Sequence, residues 1–141
     1  MTIQEIQNEI INDFSLFDNW EDKYAYIIEL GKQLPTLAES HKTDLNKIKG
    51  CQSNVWLITR MENNRVVFEG DSDALIVKGL ISMLIKVLSN QKPEDISQAD
   101  LFFIDQIGMK QQLSMTRANG LASMIKQMKL YALAYQSQMN N

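Results

Sequence analysis

An α+β domain, with several helices packed on a small antiparallel sheet, is the fold the sequence predicts. Three observations carry that expectation. Apolar residues recur at helical spacing towards both ends of the chain, from Ile3 to Leu34 and from Leu121 to Tyr135. Between them, "VWLITRM" (55–61) and "RVVFEG" (65–70) are short β-branched and aromatic runs separated by Glu62-Asn63-Asn64, the pattern of a hairpin. The 141 residues suit one domain, 1–141, able to bury a core without staples, and no repeat or low-complexity tract divides them.

The elements follow in order. Thr2 and Glu5 form a capping box ahead of Ile3, Ile6, Ile10 and Phe14, which predicts a first helix ending near Phe14 or Leu16. Asp18 with Glu21 reads as the cap of a second helix, bearing Trp20, Tyr24, Ile27, Ile28 and Leu34 and stopped by Pro35. Residues 35–50 lose the rhythm and gather small, polar and basic residues, as a loop does. After the hairpin, Asp71-Ser72-Asp73 is a cluster of capping residues opening a helix to about Ser89. Its only polar positions are Lys78, Ser82 and Lys86, so it should cross the centre of the fold. Pro93-Glu94-Asp95 starts a short helix, with proline first and acids in the first turn. Asp100 is a candidate cap for another that ends near Gly108. The last long helix begins around Ser114 to Thr116, with Leu121, Met124, Ile125, Met128, Ala132 and Tyr135 on one face.

Composition narrows the function. Hydrophobic residues make up 45% and charged residues 22%, as in a globular protein. A net charge of −3 gives no support to nucleic-acid binding. Residues 1–39 carry eight acids against Lys23 and Lys32, a balance of −6, and the remainder is +3. That asymmetry is either the solvent face of two helices or an electrostatic docking surface. The most apolar run, 74–88, is too short for a membrane span. A single cysteine and an N-terminus without a signal-peptide pattern point to the reducing cytoplasm.

The chemistry has few candidates. One cysteine and one histidine do not make a zinc or iron–sulfur site, and the six glycines form no phosphate-binding loop, so no metal or nucleotide cofactor is expected. His41 is either a base for Cys51, making a stand-alone thiol hydrolase or peroxidase, or a solvated loop residue. Cys51 itself is either a small core residue or a reactive group. Gly50 beside it permits an unusual backbone angle or a close approach, and Lys47 and Lys49 would favour thiolate if they faced the sulfur.

Three segments resolve the choice. "GCQSNVW" (50–56), "DSDALIVKGL" (71–80) and "LSMTRANGL" (113–121) resemble, in order and spacing, the SufE family of sulfur-acceptor proteins. The resemblance spans most of the chain and is weakest in the first 40 residues and the last ten. It implies a fold similar to the IscU-type scaffolds and a partner, a SufS-type cysteine desulfurase, which would hold the pyridoxal phosphate. It further implies that Cys51 accepts sulfur as a persulfide, stimulates the desulfurase and passes sulfur towards an iron–sulfur scaffold, so that the chain is an accessory protein rather than a stand-alone enzyme. A lone thiol suits that task, because a second cysteine nearby would discharge the persulfide as a disulfide. Arg117 matches the family's last motif and either holds the thiolate or persulfide or pairs with Asp73. Asp73, in the second motif, either does that or caps the central helix. Gln52 and Ser53 are candidate hydrogen-bond donors, and Lys47 and Lys49 a candidate flank for the partner.

Overall fold

The computed structural model describes residues 1–139, and within them seven helices surround a two-stranded antiparallel sheet. Helix α1 (Ile3–Phe14) opens with the capping box: the Glu5 amide donates to Thr2 Oγ1 at 3.1 Å and the Thr2 amide to Glu5 Oε1 at 2.9 Å. Helix α2 (Trp20–Gln33) is capped by Asn19, whose Oδ1 accepts from the Asp22 amide at 2.9 Å. The Asp18–Glu21 pair is thus displaced by one residue. Asparagine caps as well as aspartate does, so local sequence does not choose between them.

The hairpin is β1 (Val55–Glu62) and β2 (Arg65–Ser72), in register from Val55↔Ser72 to Glu62↔Arg65. Asn63 and Asn64 both take positive φ, 52° and 63°, as a type I′ turn demands. Leu57, Val66 and Phe68 face the core. On the opposite face, Trp56 stands beside Asp71 and Ile58 beside Glu69. Single bridges extend the sheet on both edges, Lys47↔Trp56 outside β1 and Val66↔Gln91 outside β2.

Helix α3 (Leu75–Leu88) is the central element, with nine buried residues on it. It lies over Gly70, where an added Cβ would come within 3.2 Å of Ile85. Gly79 meets the backbone of α2 so closely that a Cβ there would collide with the Ile27 carbonyl. The Ser82 hydroxyl donates to the Leu30 carbonyl at 3.1 Å, which accounts for a hydroxyl on so apolar a helix. Aspartates 71 and 73 and Ser72 do not cap α3 as a cluster. Strand β2 runs through Ser72 because it pairs with β1 up to Val55, and only the Ser72 hydroxyl serves the helix, accepting from the Ala74 amide at 3.2 Å.

Short helices α4 (Pro93–Ser97), α5 (Phe103–Gln106) and α6 (Met109–Gln112) connect to the long α7 (Met115–Met139). Proline does begin α4. Asp100 caps nothing through its side chain: α5 starts after Phe102, and the Asp100 carbonyl accepts from Gln7. The buried Gln7 also accepts the Phe103 amide at 3.1 Å, tying α1 to α5. On α7, Leu121, Met124, Met128 and Ala132 are buried, and Ile125 and Tyr135 are half-buried.

Candidate functional site

Cys51 sits in the short connection between the bridge at Lys47 and the start of β1. The stalk of this loop is a backbone hydrogen bond from the Ile48 amide to the Val55 carbonyl, 2.8 Å. Asn54 closes the loop against the start of α3. Its amide and its side-chain nitrogen donate to the two Asp73 carboxylate oxygens at 3.1 and 2.8 Å, and its carbonyl accepts from the Ser72 hydroxyl at 2.8 Å. This is what Asp73 does here: it neither caps α3 nor pairs with Arg117.

The other side of the loop rests on α7. Gly50 holds a φ of +92°, and a Cβ on it would run into the Ser123 hydroxyl. Both properties foreseen for this glycine, an unusual angle and a close approach, are therefore used at once. They set the Cys51 thiol over Gly120, where Sγ donates to the Gly120 carbonyl at 3.5 Å. The sulfur is half-buried, and burial raises the thiol pKa above its ordinary value with no opposing cause. Lys47 and Lys49 do not activate it: Lys47 pairs with Asp44 at 3.5 Å, and Lys49 is exposed.

Beside the thiol lies a cavity of about 380 Å³. Its floor is apolar, made by Ile76, Val77 and Leu80 of α3 with Met124 of α7. Its rim is polar, with Gln52, Ser53, Ser114, Thr116 and Arg117. Ser114 caps α7, accepting the Arg117 amide at 3.2 Å, so the serine and the arginine of the third motif are joined by one turn of backbone. The Arg117 guanidinium lies over the Tyr24 ring at 5.9 Å, which ties it to α2. Leu75 and Met115, each next in sequence to a lining residue, do not themselves line the cavity and are 64% and 80% exposed.

His41 belongs to a 3-10 turn (Glu39–His41), is exposed and does not line the cavity. The structure thus brings together Cys51, Gln52, Ser53 and Arg117, places Asp73 behind the loop and leaves His41 outside.

One residue of the site's support was misread from sequence. Asp71, read as a helix cap, is 2% exposed and accepts from the amides of Leu37 and Ser72 at 3.1 and 2.8 Å. Lys78 at 3.2 Å and Lys42 at 3.5 Å flank it. Burial alone would raise its carboxyl pKa, but the two amides and Lys78 outweigh burial and hold it below the ordinary value. Lys42 also lies over the Trp56 ring at 5.5 Å, so this cluster fastens residues 37–42 across the outer face of the sheet, ahead of Cys51. The strand in fact runs on past the apolar run 65–70 through Asp71 to Ser72, and capping-type residues hid that continuation.

The geometry defines a class: an α+β domain that presents one masked thiol at the edge of a small amphiphilic cavity. The comparisons give the family. Residues 8–132 match the model of the SufE Fe-S metabolism associated domain. An uncharacterised SufE-like protein of Rhizobium etli is 46% identical over 127 residues, covering 86% of each chain. Another, of Rhizobium meliloti, is 44% identical over 127 residues, covering 86% of this chain and 91% of the relative. A hypothetical protein of Thermus thermophilus, solved in solution, superposes with a TM-score of 0.76 over 94% of this chain and 96% of its own, at 16% identity, a likeness of fold. The chain belongs to the SufE family, and its role lies in iron–sulfur metabolism.

Proposed function

We propose that this protein is a sulfur acceptor, taking sulfane sulfur from a SufS-type cysteine desulfurase onto Cys51 and carrying it as a persulfide towards iron–sulfur cluster assembly in the cytoplasm. The observation that carries this reading is the placement of the chain's one cysteine: tethered at the edge of an apolar-floored cavity, with Arg117 on the rim. In the transfer, the Cys51 thiolate attacks the outer sulfur of the donor's persulfide and the donor cysteine leaves as thiolate. Removing that sulfur frees the desulfurase for its next turnover, which is how an acceptor with no cofactor of its own stimulates its partner.

The structure's features support each demand of the task. At rest the raised pKa and the contact with Gly120 keep the thiol protonated and unreactive. On the partner, the loop must leave Gly120 and meet a cation, and Arg117 is the cation on this rim. After transfer, the floor of Val77, Leu80 and Met124 shields the sulfane sulfur from water and oxidants. Leu75 and Met115, exposed at the first residues of α3 and α7, suit contact with a protein partner.

The test is incubation with a cysteine desulfurase, pyridoxal phosphate and cysteine, followed by intact mass without reductant. A gain of one sulfur atom that is absent in Cys51→Ser, together with faster desulfurase turnover, is the expected result. No gain and unchanged turnover would sink the reading.

A further inference from the structure

The cavity beside Cys51 is larger than a persulfide requires. A sulfur atom needs about as much room as a water molecule, roughly 30 Å³, whereas the cavity measures about 380 Å³. That lies within the range of roughly 300–1,000 Å³ occupied by small-molecule sites. Its lining is also asymmetric. Ile76, Val77, Leu80 and Met124 give an apolar floor, and Arg117 stands on the rim, its guanidinium over the Tyr24 ring and, among the described residues, without a carboxylate partner. Among the described residues it is the one permanent charge on the lining, and no carboxylate there neutralises it. A guanidinium in such a place recognises a carboxylate, by paired hydrogen bonds as well as charge.

Resting on the persulfide reading above, we infer that the cavity is a binding site for a low-molecular-weight thiol bearing a carboxylate, and that Cys51 exchanges its sulfane sulfur with such a thiol directly. The small thiol places its carboxylate at Arg117 and its sulfur over the apolar floor. Its thiolate attacks the outer sulfur of Cys51–S–SH. A new S–S bond forms to that sulfur as the bond to Cys51 Sγ breaks; the electron pair leaves on Sγ, and the hydrogen stays on the transferred sulfur. The products are the small persulfide and the Cys51 thiolate, with no net oxidation or reduction. The reverse reaction loads Cys51 from a small persulfide without a protein donor.

The experiment needs no desulfurase. Cys51 is loaded with sulfur from inorganic polysulfide and freed of excess, and the loss of the added sulfur mass is followed in rising concentrations of 3-mercaptopropionate or of 2-mercaptoethanol, with rates compared per thiolate. Saturation with 3-mercaptopropionate is expected, with a preference over the neutral thiol of about tenfold or more from one charge-assisted contact. Arg117→Gln should abolish the preference and Arg117→Lys restore part of it; the two wild-type thiol series decide the matter if a variant does not fold. Rates that stay linear in thiol and ignore the carboxylate overturn the inference, as does a Cys51 that polysulfide cannot load. Failure here leaves desulfurase-dependent loading intact. Saturable, carboxylate-selective exchange in a protein that no desulfurase loads would sink the partner reading instead.

Discussion

Gly50→Ala should unmask the thiol without touching it. In the resting structure the added methyl group is penalised twice. A Cβ at a φ of +92° costs about 1–2 kcal/mol, and displacing the Ser123 hydroxyl from its rotamer costs roughly 0.5–1.5 kcal/mol. Neither cost applies once the loop has left α7, so the substitution moves the closed–open equilibrium by about 2 kcal/mol, or about thirtyfold. Cys51 is the only cysteine, so alkylation by iodoacetamide read as intact mass reports this equilibrium at one site. The expected result is an alkylation rate about thirty times that of the parent at neutral pH. Adding Ser123→Ala should recover the contact share and leave the backbone share. A parental rate in Gly50→Ala would refute the reasoning, since it would mean that the Gly50–Ser123 approach does not hold the thiol in place.

Three further outcomes follow from the same structure. The half-rise of Cys51 alkylation with pH should lie above that of the urea-unfolded chain, and the protonated thiol stabilises the fold below the unfolded thiol's pKa, a contribution lost as pH rises through the folded one; a half-rise at or below the unfolded value contradicts this. The Asp71 carboxyl is held low, so its contribution is present above the unfolded carboxyl's pKa and lost as pH falls through the folded value. Asp71→Asn should therefore cost about 2–4 kcal/mol in neutral urea unfolding and less in acid, whereas an equal loss at both would exclude the ionised carboxylate as the cause. Gly79→Ala should cost about 1–3 kcal/mol or more, because backbone rather than a movable side chain obstructs the new Cβ; an unchanged urea midpoint would show that α2 and α3 can separate freely.

What could be read from the sequence was what neighbours in the chain decide. Asn63 and Asn64 mark the hairpin turn by their own tolerance of positive φ, and the apolar run from Leu75 to Leu88 announces the central helix. Cys51, Gln52, Ser53 and Arg117, drawn from two separate motifs, line one cavity. The misreadings concern partners distant in sequence. Asp71 looks like a cap until residues 37–42 fold back over it, and Asp73 is consumed by Asn54, 19 residues earlier. Arg117 stacks over Tyr24 rather than meeting Asp73, a partner 93 residues away that only the tertiary fold supplies. The latch of Gly50 against Ser123 is of the same kind: glycine signals that something comes close, and only the fold says what.

The stalk beneath Cys51 has a consequence for the carrier proposed above. With Ile48 bonded to Val55 and Asn54 to Asp73, the sulfur is three residues from each of its nearer anchors, Ile48 and Asn54. Three extended residues span about 10 Å at most. The arm is therefore short, and a donor or recipient must bring its own reactive sulfur almost to the surface of this domain. For the proposed carrier, an arm this short favours serving its protein partners in turn, so that the dissociation of the first would set the earliest moment at which the second can be served.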